Sequence, residues 1–431
     1  MHVAYVDPSL RDNVGHHRSL AEFILPELRR KCERVEVFAN RWCEPPILAE
    51  LGAHGFFAHA AYETFDSTSE AERRAYRRQS LRFALEFLKL ASSGPFDLLY
   101  LATAFGAELA GLRIALPALI TQRRLPMIVA EIGLPLSPPY TQDLGDQLRE
   151  EAARYQKARL PLRLVAFDAA IGHTANLGIE VDRAPAVHVR AKPAVPPGGD
   201  GVVFGFLGHQ RPEKGWLLLR PIIEATLSRS PRARFFVHNV AGQEDETSRA
   251  LRALAKQDAR VEYLEASFGQ RDFARLYNRL DVVVLPYERA RYAESYSAIA
   301  IEAVAAAVPL VATGETTMSA LAAKWQWSQF EGEPAAGLEN LEPETQTVAD
   351  VLTQIAENPG PYRAAAQRGA ERYRRENGAD RFADFLQELH AQNAARLAPS
   401  TGWLTACSYL PQPWRRPLAR LHVSLLRKRH R

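Results

Sequence analysis

Residues 281–313, "DVVVLPYERARYAESYSAIAIEAVAAAVPLVAT", predict a strand, a buried helix and a second strand. The apolar runs at the two ends do not alternate with polar residues, which is typical of strands buried on both faces of a parallel sheet. The helix between them, over 297–307, is apolar on every side except at Glu302. This rhythm predicts a parallel α/β fold.

The same rhythm runs through both halves of the chain. The strand-like runs are "HVAYV", "RVEVFA", "DLLYLATAF" and "MIVAEIG" in the first half, and "GVVFGFLG", "RFFVHNVAG" and "VEYLEASF" before 281–313 in the second. A Pro- and Gly-rich stretch, "RAKPAVPPGGDG", separates the two series. Since 431 residues exceed what one core usually holds, two domains are expected.

We therefore predict two doubly wound Rossmann-like domains that face each other across a cleft. The predicted boundaries are an N-terminal domain over 1–192, a linker over 193–200, a C-terminal domain over 201–395 and a basic tail over 396–431. Ligands of doubly wound sheets bind outside the carboxyl ends of the strands. The residues that follow the strands are thus the candidates for function.

Composition excludes several classes of protein. A hydrophobic content of 47% and a charged content of 24% are those of an ordinary globular protein. Three cysteines without metal-site spacing indicate neither a disulfide framework nor a zinc site, and favour a reducing compartment. The N-terminus lacks the pattern of a signal peptide, and no apolar run approaches the roughly 20 residues of a membrane span. We expect a cytoplasmic protein.

Basic charge is concentrated at the C-terminus. Residues 396–431 hold eight of the 54 Lys and Arg and none of the 50 acids, which leaves 46 basic residues against 50 acidic ones elsewhere. A mildly negative body argues against a broad nucleic-acid surface. The tail mixes its arginines with Trp403, Trp414 and several leucines, a pattern that fits an interfacial helix on an anionic membrane. The alternative is a solvated charged face, which we favour for the second basic stretch, 72–90.

The first candidate site is "FGFLGHQRPEKGW", residues 204–216, where a buried strand ends at Gly208 and a helix is predicted to begin near Lys214. A helix N-terminus disfavours cations and attracts anions, so Arg211 and Lys214 make sense there if a phosphate completes the site. The alternative is a solvated turn in which these cations pair with Glu213 or its neighbours. The segment alone leaves both interpretations open.

The second candidate is Glu302. A carboxylate in an apolar helix is costly unless a polar partner satisfies it, and a ligand hydroxyl would do so. The alternative is a structural ion pair with an arginine from elsewhere. Glu294, in the loop before the helix, is by itself an ordinary surface residue.

Taken together, "FGFLGHQRPEKG" and residues 281–313 resemble the donor-binding domain of GT-B glycosyltransferases of the retaining family 4 type. The motif E-x7-E of that family matches Glu294 and Glu302, which are separated by seven residues. The resemblance covers about 201–395. It implies transfer of a sugar from a UDP- or GDP-sugar donor to a glycan or lipid-linked glycan acceptor in surface polysaccharide synthesis.

The resemblance also implies roles for residues. Glu294 would bind the transferred sugar, Glu302 the ribose, and Arg211 with Lys214 the diphosphate, with Glu294 and both cations in catalytic roles. The remaining donor-binding candidates are Gly208, His209, Ser295, Tyr296 and Ser297. No metal or other cofactor is implied, and the chain has no DxD motif. His209 stands where the family usually has arginine.

In the N-terminal half, "DPSLRDNVGHHRSLAEFI" resembles the glycine loop of the family, with Gly15, His16 and His17 as candidates for contact with substrate. The alternative for a histidine here is a helix cap or a solvent-facing side chain. Where the family commonly has a later histidine, this chain has Glu131. Two further functions stay open, a catalytically silent GT-B nucleotide-binding subunit and a nucleotide-sugar epimerase. A dehydrogenase is disfavoured because no GxGxxG follows either opening strand.

Overall fold

The computed structural model describes residues 1–12, 17–61, 70–119, 125–132, 142–167, 180–188, 194, 201–209, 211–242, 244–268, 270–293, 295–329 and 345–394. The chain divides into two compact units. The first comprises Met1–Ala184 and the chain from Phe382 onward, and the second is Pro185–Arg381. Each unit contains one parallel sheet, as the sequence predicts.

The sheet of the first unit has seven strands. They are β1 (His2–Asp7), β2 (Arg34–Asn40), β3 (Ala53–Phe57), β4 (Leu98–Leu101), β5 (Met127–Glu131), β6 (Leu162–Ala166) and β7 (Val181–Arg183). Their order is β3-β2-β1-β4-β5-β6-β7, and every pairing is parallel. The direction of winding reverses between β1 and β4, which makes the carboxyl ends of these two strands the expected ligand position in this sheet.

Before the chain leaves the first unit at Ala184, five helices accompany this sheet among the described residues. They are α1 (His17–Lys31), α2 (Pro45–Leu51), α3 (Glu70–Leu90), α4 (Gly106–Leu119) and α5 (Gln142–Lys157). The central strands form the core, since Val3, Tyr5 and Leu99 are fully buried. Burial on both faces explains why these strands read as continuous apolar runs.

The sheet of the second unit has five strands, β8 (Val202–Phe206), β9 (Ala233–Asn239), β10 (Val261–Glu265), β11 (Val282–Leu285) and β12 (Leu310–Ala312). Their order is β10-β9-β8-β11-β12, again with parallel pairings throughout. In the register of β11 and β8, Val282 lies opposite Phe204. Here the winding reverses between β8 and β11.

The helices of the second unit are α6 (Leu219–Arg229), α7 (Glu246–Gln257), α8 (Gln270–Arg275), α9 (Arg289–Tyr292), α10 (Ala298–Ala305), α11 (Thr317–Trp325), α12 (Thr345–Glu357) and α13 (Gly360–Glu376). Two of them begin with capping boxes. Asp245 and Ser248 form the box at α7, and Thr316 and Ser319 form the box at α11. Each box satisfies two backbone N–H groups that a helix start leaves open.

The last described helix, α14 (Ala379–Ala394), passes from the second unit into the first. The ring of Phe382 packs 5.3 Å from that of Tyr100 and 5.8 Å from that of Phe167, measured between centroids. Lys31 Nζ lies 2.6 Å from Asp384 Oδ1. Most of this helix therefore belongs to the first unit, whereas the sequence places it with the second domain up to residue 395. Amphipathic periodicity shows that a helix has a buried face but not which sheet covers it.

All nine strand-like runs of the sequence are strands. The additional strands β3, β6 and β7 lie outside those runs. Strands β3 and β7 are at the two edges of their sheet, and only one residue of β3, Phe57, is buried. Edge strands lack the continuous apolar signal of central ones. The predicted linker lies outside the described residues except for Ala194, whose N–H donates to the Ala306 carbonyl at 2.8 Å.

Candidate functional site

The two sequence motifs of the second unit meet at one place. The segment with Gly208, Arg211 and Lys214 follows β8, and the segment from Pro286 to Ser297 follows β11. These strands are neighbours on either side of the reversal in winding, where doubly wound sheets bind ligands. The fold thus brings together segments that are about 80 residues apart in sequence.

The turn after β8 depends on glycine at position 208. Its φ is +94°, and a Cβ there would lie 2.6 Å from Ile299 Cδ1, in the first turn of α10. The Gly208 N–H donates to Nδ1 of His238 at 3.2 Å. The turn is therefore held between the end of β9, where His238 lies, and the N-terminus of α10. His209 follows it and is partly exposed.

The helix after this turn starts later than the sequence predicts. Residues Pro212–Lys214 and Trp216–Leu218 form two short 3₁₀ turns, and α6 begins only at Leu219. Gly215 separates the turns with φ +73°, and a Cβ there would lie 2.2 Å from the Pro286 carbonyl oxygen. The prediction that the helix begins near Lys214 is thus wrong, since Lys214 lies in the turns that precede α6. Close packing against the end of β11 bends the chain before the helix can form.

Arg211 adopts the ion pair that the sequence offers as the alternative. Its Nε lies 3.0 Å from Oε1 of Glu213, and its side chain is 45% exposed. Arg211 also lies close to Tyr292, since the guanidinium lowers the pKa of Tyr292 against the larger upward effect of burial. The arginine is therefore at the edge of the site and faces both protein and solvent.

Lys214 is more enclosed than Arg211. Its Nζ lies 5.5 Å from the ring centroid of Tyr287, a cation–π distance. Within the described part of the chain it makes no ion pair. The pKa of Lys214 is lowered to about 8, mainly by burial and also by nearby Arg211, while Glu213 opposes the shift. An ammonium in this setting is stabilised by any anion that approaches it.

Helix α10 supplies a second anion-attracting feature. Ser297 is at its N-cap position, but the serine side chain does not cap the helix. The Ser295 carbonyl accepts a hydrogen bond from the Thr317 hydroxyl, which anchors the segment before the helix. Tyr296 and Ser297 are partly exposed. The first N–H groups of α10 are thus available to an anion.

Glu302 lies one turn further along α10 and is 5% exposed. The residues around it, from Ile299 to Ala305, are all buried, so the helix is the buried one that the sequence predicts. Glu294 lies outside the described residues.

Helix α10 ends in a Schellman motif with an alanine at the glycine position. Ala307 has φ +62°, its N–H donates to Val304 O at 3.2 Å, and the Val308 N–H donates to Ala303 O at 2.9 Å. This pair of bonds is the signature of the motif, which normally takes glycine at the left-handed residue. Arg374 adds a hydrogen bond to the Ala305 carbonyl at 2.6 Å.

We expect Ala307→Gly to stabilise the second unit by about 1 kcal/mol, because glycine adopts the left-handed conformation without the strain of a Cβ. Urea unfolding followed by tryptophan fluorescence measures the change. The matched control is Ala306→Gly, one residue earlier in right-handed conformation, which should be destabilising. An Ala307→Gly variant less stable than the parent would contradict this account.

In the first unit, His17 has a buried partner. Gly15 and His16 lie outside the described residues, while His17 is the first residue of α1 and 6% exposed. Its Nδ1 lies 3.0 Å from the carboxylate of Asp7, the fully buried last residue of β1. Burial by itself lowers the pKa of His17, but the charge and hydrogen bond of Asp7 raise it overall, with Asp12 adding to the rise. A solvent-facing His17 is therefore excluded.

Two buried carboxyl groups follow neighbouring strands in this unit. Glu131 ends β5 and accepts a short hydrogen bond from the Tyr100 hydroxyl, and Glu108 lies in the first turn of α4. Both are fully buried. Burial raises the pKa of Glu131 to about 8, against the opposing Tyr100 hydrogen bond, so this carboxyl group is mainly protonated at neutral pH. Sequence reasoning noticed Glu131 only as the counterpart of a histidine and missed Glu108.

The described residues contain no cluster of three or more His, Cys, Asp or Glu that could hold a metal ion. Among the described helices, none combines the length and the hydropathy that crossing a bilayer requires.

His238, which holds the glycine turn, was missed by sequence reasoning because a histidine at the end of a strand carries no signal of its partners.

Comparison with known proteins shows what the second unit resembles. Residues 201–324 match the family model for glycosyl transferases group 1. This part of the second unit is thus similar to a group 1 glycosyltransferase domain. The matched range covers both β8 and β11 and the segments that follow them, so it includes all the candidate residues of the second unit. A search of curated proteins finds no match to this chain.

Solved structures with the same fold span almost the whole chain. HepE from Anabaena in complex with UDP and glucose aligns with a TM-score of 0.57 at 14% identity, over 92% of this chain and 100% of HepE. A glycosyltransferase from Rickettsia africae aligns at 0.59 with 12% identity, over 92% and 99%. The lipopolysaccharide outer core galactosyltransferase WaaB aligns at 0.59 with 13% identity, over 91% and 100%. The two parallel α/β units together thus match the fold of GT-B glycosyltransferases, and the group 1 match of residues 201–324 supports glycosyltransferase activity.

Proposed function

We propose that this chain is a retaining, metal-independent hexosyltransferase. It moves a sugar from a UDP- or GDP-sugar to a glycan or lipid-linked glycan acceptor in surface polysaccharide synthesis. The observation that carries the proposal is the contact between the two candidate segments at the winding reversal, inside the range that matches group 1: Gly208 lies close to Ile299 at the start of α10, and Gly215, next to Lys214, lies close to Pro286. Structures of HepE with UDP, with UDP and glucose and with UDP-glucose favour UDP as the nucleotide to test first.

The donor diphosphate has two complementary partners in this proposal. The enclosed ammonium of Lys214 supplies full positive charge, and the N–H groups of Ser295, Tyr296 and Ser297 with the α10 N-terminus supply oriented dipoles. Arg211 joins them by leaving Glu213 for the more highly charged diphosphate. Gly208 and His209 form the neighbouring wall.

The carboxylates of Glu302 and Glu294 bind the uncharged parts of the donor. Glu302 accepts hydrogen bonds from the ribose hydroxyls, which explains a carboxylate in an apolar helix. Glu294 accepts hydrogen bonds from hydroxyls of the transferred sugar. On the acceptor side, Gly15, His16 and His17 contact substrate, with Asp7 orienting the His17 ring.

In the reaction, the bond between the sugar C1 and the diphosphate oxygen breaks as the acceptor oxygen bonds to C1 on the same face. The acceptor proton passes to a diphosphate oxygen, so no protein base is needed. Lys214, Arg211 and the α10 dipole stabilise the charge that develops on the leaving diphosphate. The tail over 396–431, which lies outside the described residues, would bring the enzyme to an anionic membrane face that carries a lipid-linked acceptor.

A panel of UDP-, GDP- and ADP-sugars tests the proposal through thermal stabilisation and release of free nucleotide. A ligand at 100 times its Kd stabilises the folded state by about 2.7 kcal/mol, enough for a clear shift in Tm. If no nucleotide stabilises the protein, the transferase proposal fails. Nucleotide binding without any sugar transfer or hydrolysis would favour the catalytically silent subunit instead.

We expect nucleotide affinity to fall as the pH rises above about 8, the pKa to which burial and nearby Arg211 lower Lys214. A bound diphosphate raises this pKa, so binding takes up a proton between the free and the bound values. The dissociation constant for UDP should then rise by up to about tenfold per pH unit. Calorimetry at pH 7.5, 8.5 and 9.5 measures the slope.

The control for this pH dependence is Lys214→Met, which keeps the length of the side chain and has nothing to titrate. The diphosphate of UDP is almost fully ionised over the same range, and loss of the uracil N3 proton at its upper end is common to both proteins. We expect weak binding by this variant at every pH and a profile without the additional fall that Lys214 causes in the unaltered protein. A pH profile of the unaltered protein that equals that of Lys214→Met would contradict the assignment of Lys214 to the diphosphate site.

A further inference from the structure

A buried histidine at the end of β9 holds the glycine turn of the candidate site. His238 is 2% exposed and lies at the penultimate position of the strand. Its Nδ1 accepts a hydrogen bond from the Gly208 N–H at 3.2 Å, and its Nε2 lies 2.8 Å from the Ala266 carbonyl oxygen. The ring thus links three neighbouring strand ends, those of β8, β9 and β10.

These two partners determine the protonation state of the ring. A backbone N–H can only donate, so Nδ1 must carry a lone pair, and a carbonyl can only accept, so Nε2 must carry the proton. Only the neutral imidazole satisfies both. A second proton on Nδ1 would face the Gly208 N–H and leave that buried donor without its acceptor.

The surroundings of the ring favour this neutral form. Phe268 and Phe273 pack against it, with ring centroids 5.4 Å and 5.5 Å away. Burial lowers the pKa of His238, opposed by the hydrogen bond to Ala266. Because the pKa of His238 is shifted downward from 6.5, the ring stays neutral at neutral pH. The unfolded state binds the proton more readily, so the free energy of unfolding decreases progressively as the pH falls below 6.5.

Ionisable groups on the elements around the ring include His209 beyond the glycine turn, Glu262 and Glu265 in β10, Asp272 and Arg275 in α8, and Glu302 in α10. Glu265 is 2.6 Å from Arg252, and Asp272 is 2.9 Å from Arg275. Burial and the hydrogen bond to Ala266 are the causes of the pKa shift of His238.

We propose that His238 is a positioning residue for the nucleotide. Its neutral ring clamps Gly208 against Ile299 at the start of α10, and a second proton on the ring releases the turn and weakens nucleotide binding. The turn leads directly into the segment with Arg211 and Lys214, so its release displaces the cations from the α10 N-terminus. The second half of this inference rests on the proposed nucleotide site, while the clamp on Gly208 does not.

The test compares the full-length protein with two variants. In His238→Asn, the Asn Oδ1 takes the place of Nδ1 as acceptor and does not titrate. His238→Leu removes the acceptor. UDP affinity is measured by calorimetry at pH 7.5 and 5.5, and hydrogen exchange of peptides that contain Gly208 is measured without nucleotide at the same two pH values.

Between pH 7.5 and 5.5, the affinity of the unaltered protein for UDP should fall by about tenfold more than that of His238→Asn, as expected for one lost hydrogen bond to a buried donor. Protonation of UDP and of His209 is common to both proteins and cancels. At pH 7.5, His238→Leu should bind UDP about tenfold more weakly. Exchange at Gly208 should be faster in the unaltered protein than in His238→Asn at pH 5.5 only.

Equal pH profiles of affinity for the unaltered protein and His238→Asn, or equal exchange at pH 5.5, would overturn the inference. This comparison decides the matter even if His238→Leu does not fold. If the exchange result is as expected but no UDP, GDP or ADP compound binds at pH 7.5, the proposed function fails while the clamp on Gly208 stands.

Discussion

Replacing Glu302 with alanine is expected to abolish nucleotide-sugar binding while leaving the second unit folded. Two hydrogen bonds from ribose hydroxyls to a carboxylate contribute about 1.5–3 kcal/mol each, so affinity should fall by at least about 100-fold. The fold should survive because alanine is the best helix former and α10 is otherwise apolar. Calorimetry with UDP and UDP-glucose measures the affinity, and circular dichroism checks the fold.

Two further variants make this result specific. Glu302→Gln keeps the size and one acceptor oxygen but loses the charge, so its affinity should lie between those of the parent and of Glu302→Ala. Glu315→Ala removes an exposed carboxylate in the same unit, 70% accessible, and should leave binding unchanged. Unchanged affinity in Glu302→Ala would rule out the ribose role. If that variant unfolds, the Gln variant decides.

Gly215→Ala should have the largest effect on stability of any single methyl group added near the site. The new Cβ would lie 2.2 Å from the Pro286 carbonyl oxygen, in a residue with φ +73°. Left-handed strain of about 1–2 kcal/mol and overpacking of about 1–3 kcal/mol together predict a loss of roughly 3 kcal/mol. Since the nearest atom, the Pro286 carbonyl oxygen, belongs to the backbone, relief of the contact requires the turn to move, which displaces Lys214 and weakens nucleotide binding.

A glycine elsewhere in the same unit separates these two causes. Gly242 also has a positive φ, +86°, but a Cβ there would meet no atom within 4 Å. Gly242→Ala should therefore lower the free energy of unfolding only through left-handed strain, by about 1 kcal/mol, and leave UDP affinity unchanged. Urea unfolding reports on both variants through Trp216, which is buried beside Gly215. Equal losses in the two variants would show that contact with Pro286 is unimportant.

Much of the second unit could be predicted because its signals are local. The runs that became β8, β11 and β12 are apolar without alternation, and nearly all of their residues are buried. The buried character of α10 followed from its composition, as did the anomaly of Glu302. The meeting of the β8 and β11 segments followed from topology, because parallel strands joined by helices bring their carboxyl ends to one edge.

Other features depend on contacts that no local pattern records. The delayed start of α6 results from the approach of Gly215 to Pro286, 71 residues away in sequence. The pairing of Arg211 with Glu213 was one of two open alternatives, and only side-chain geometry chose between them. In the first unit, burial of His17 against Asp7 has the same origin, since a histidine at a helix start is equally compatible with solvent.

The sequence by itself thus determined the class of fold, the order of most strands and the segments that form the candidate site, because hydrophobic burial and chain connectivity act through patterns along the chain. Only the tertiary structure decided which unit holds α14, where α6 begins and how Gly208 is held by His238. These features depend on distances between atoms that are remote in sequence. A hydrogen bond or a steric contact changes over tenths of an ångström, a precision that periodicity does not carry.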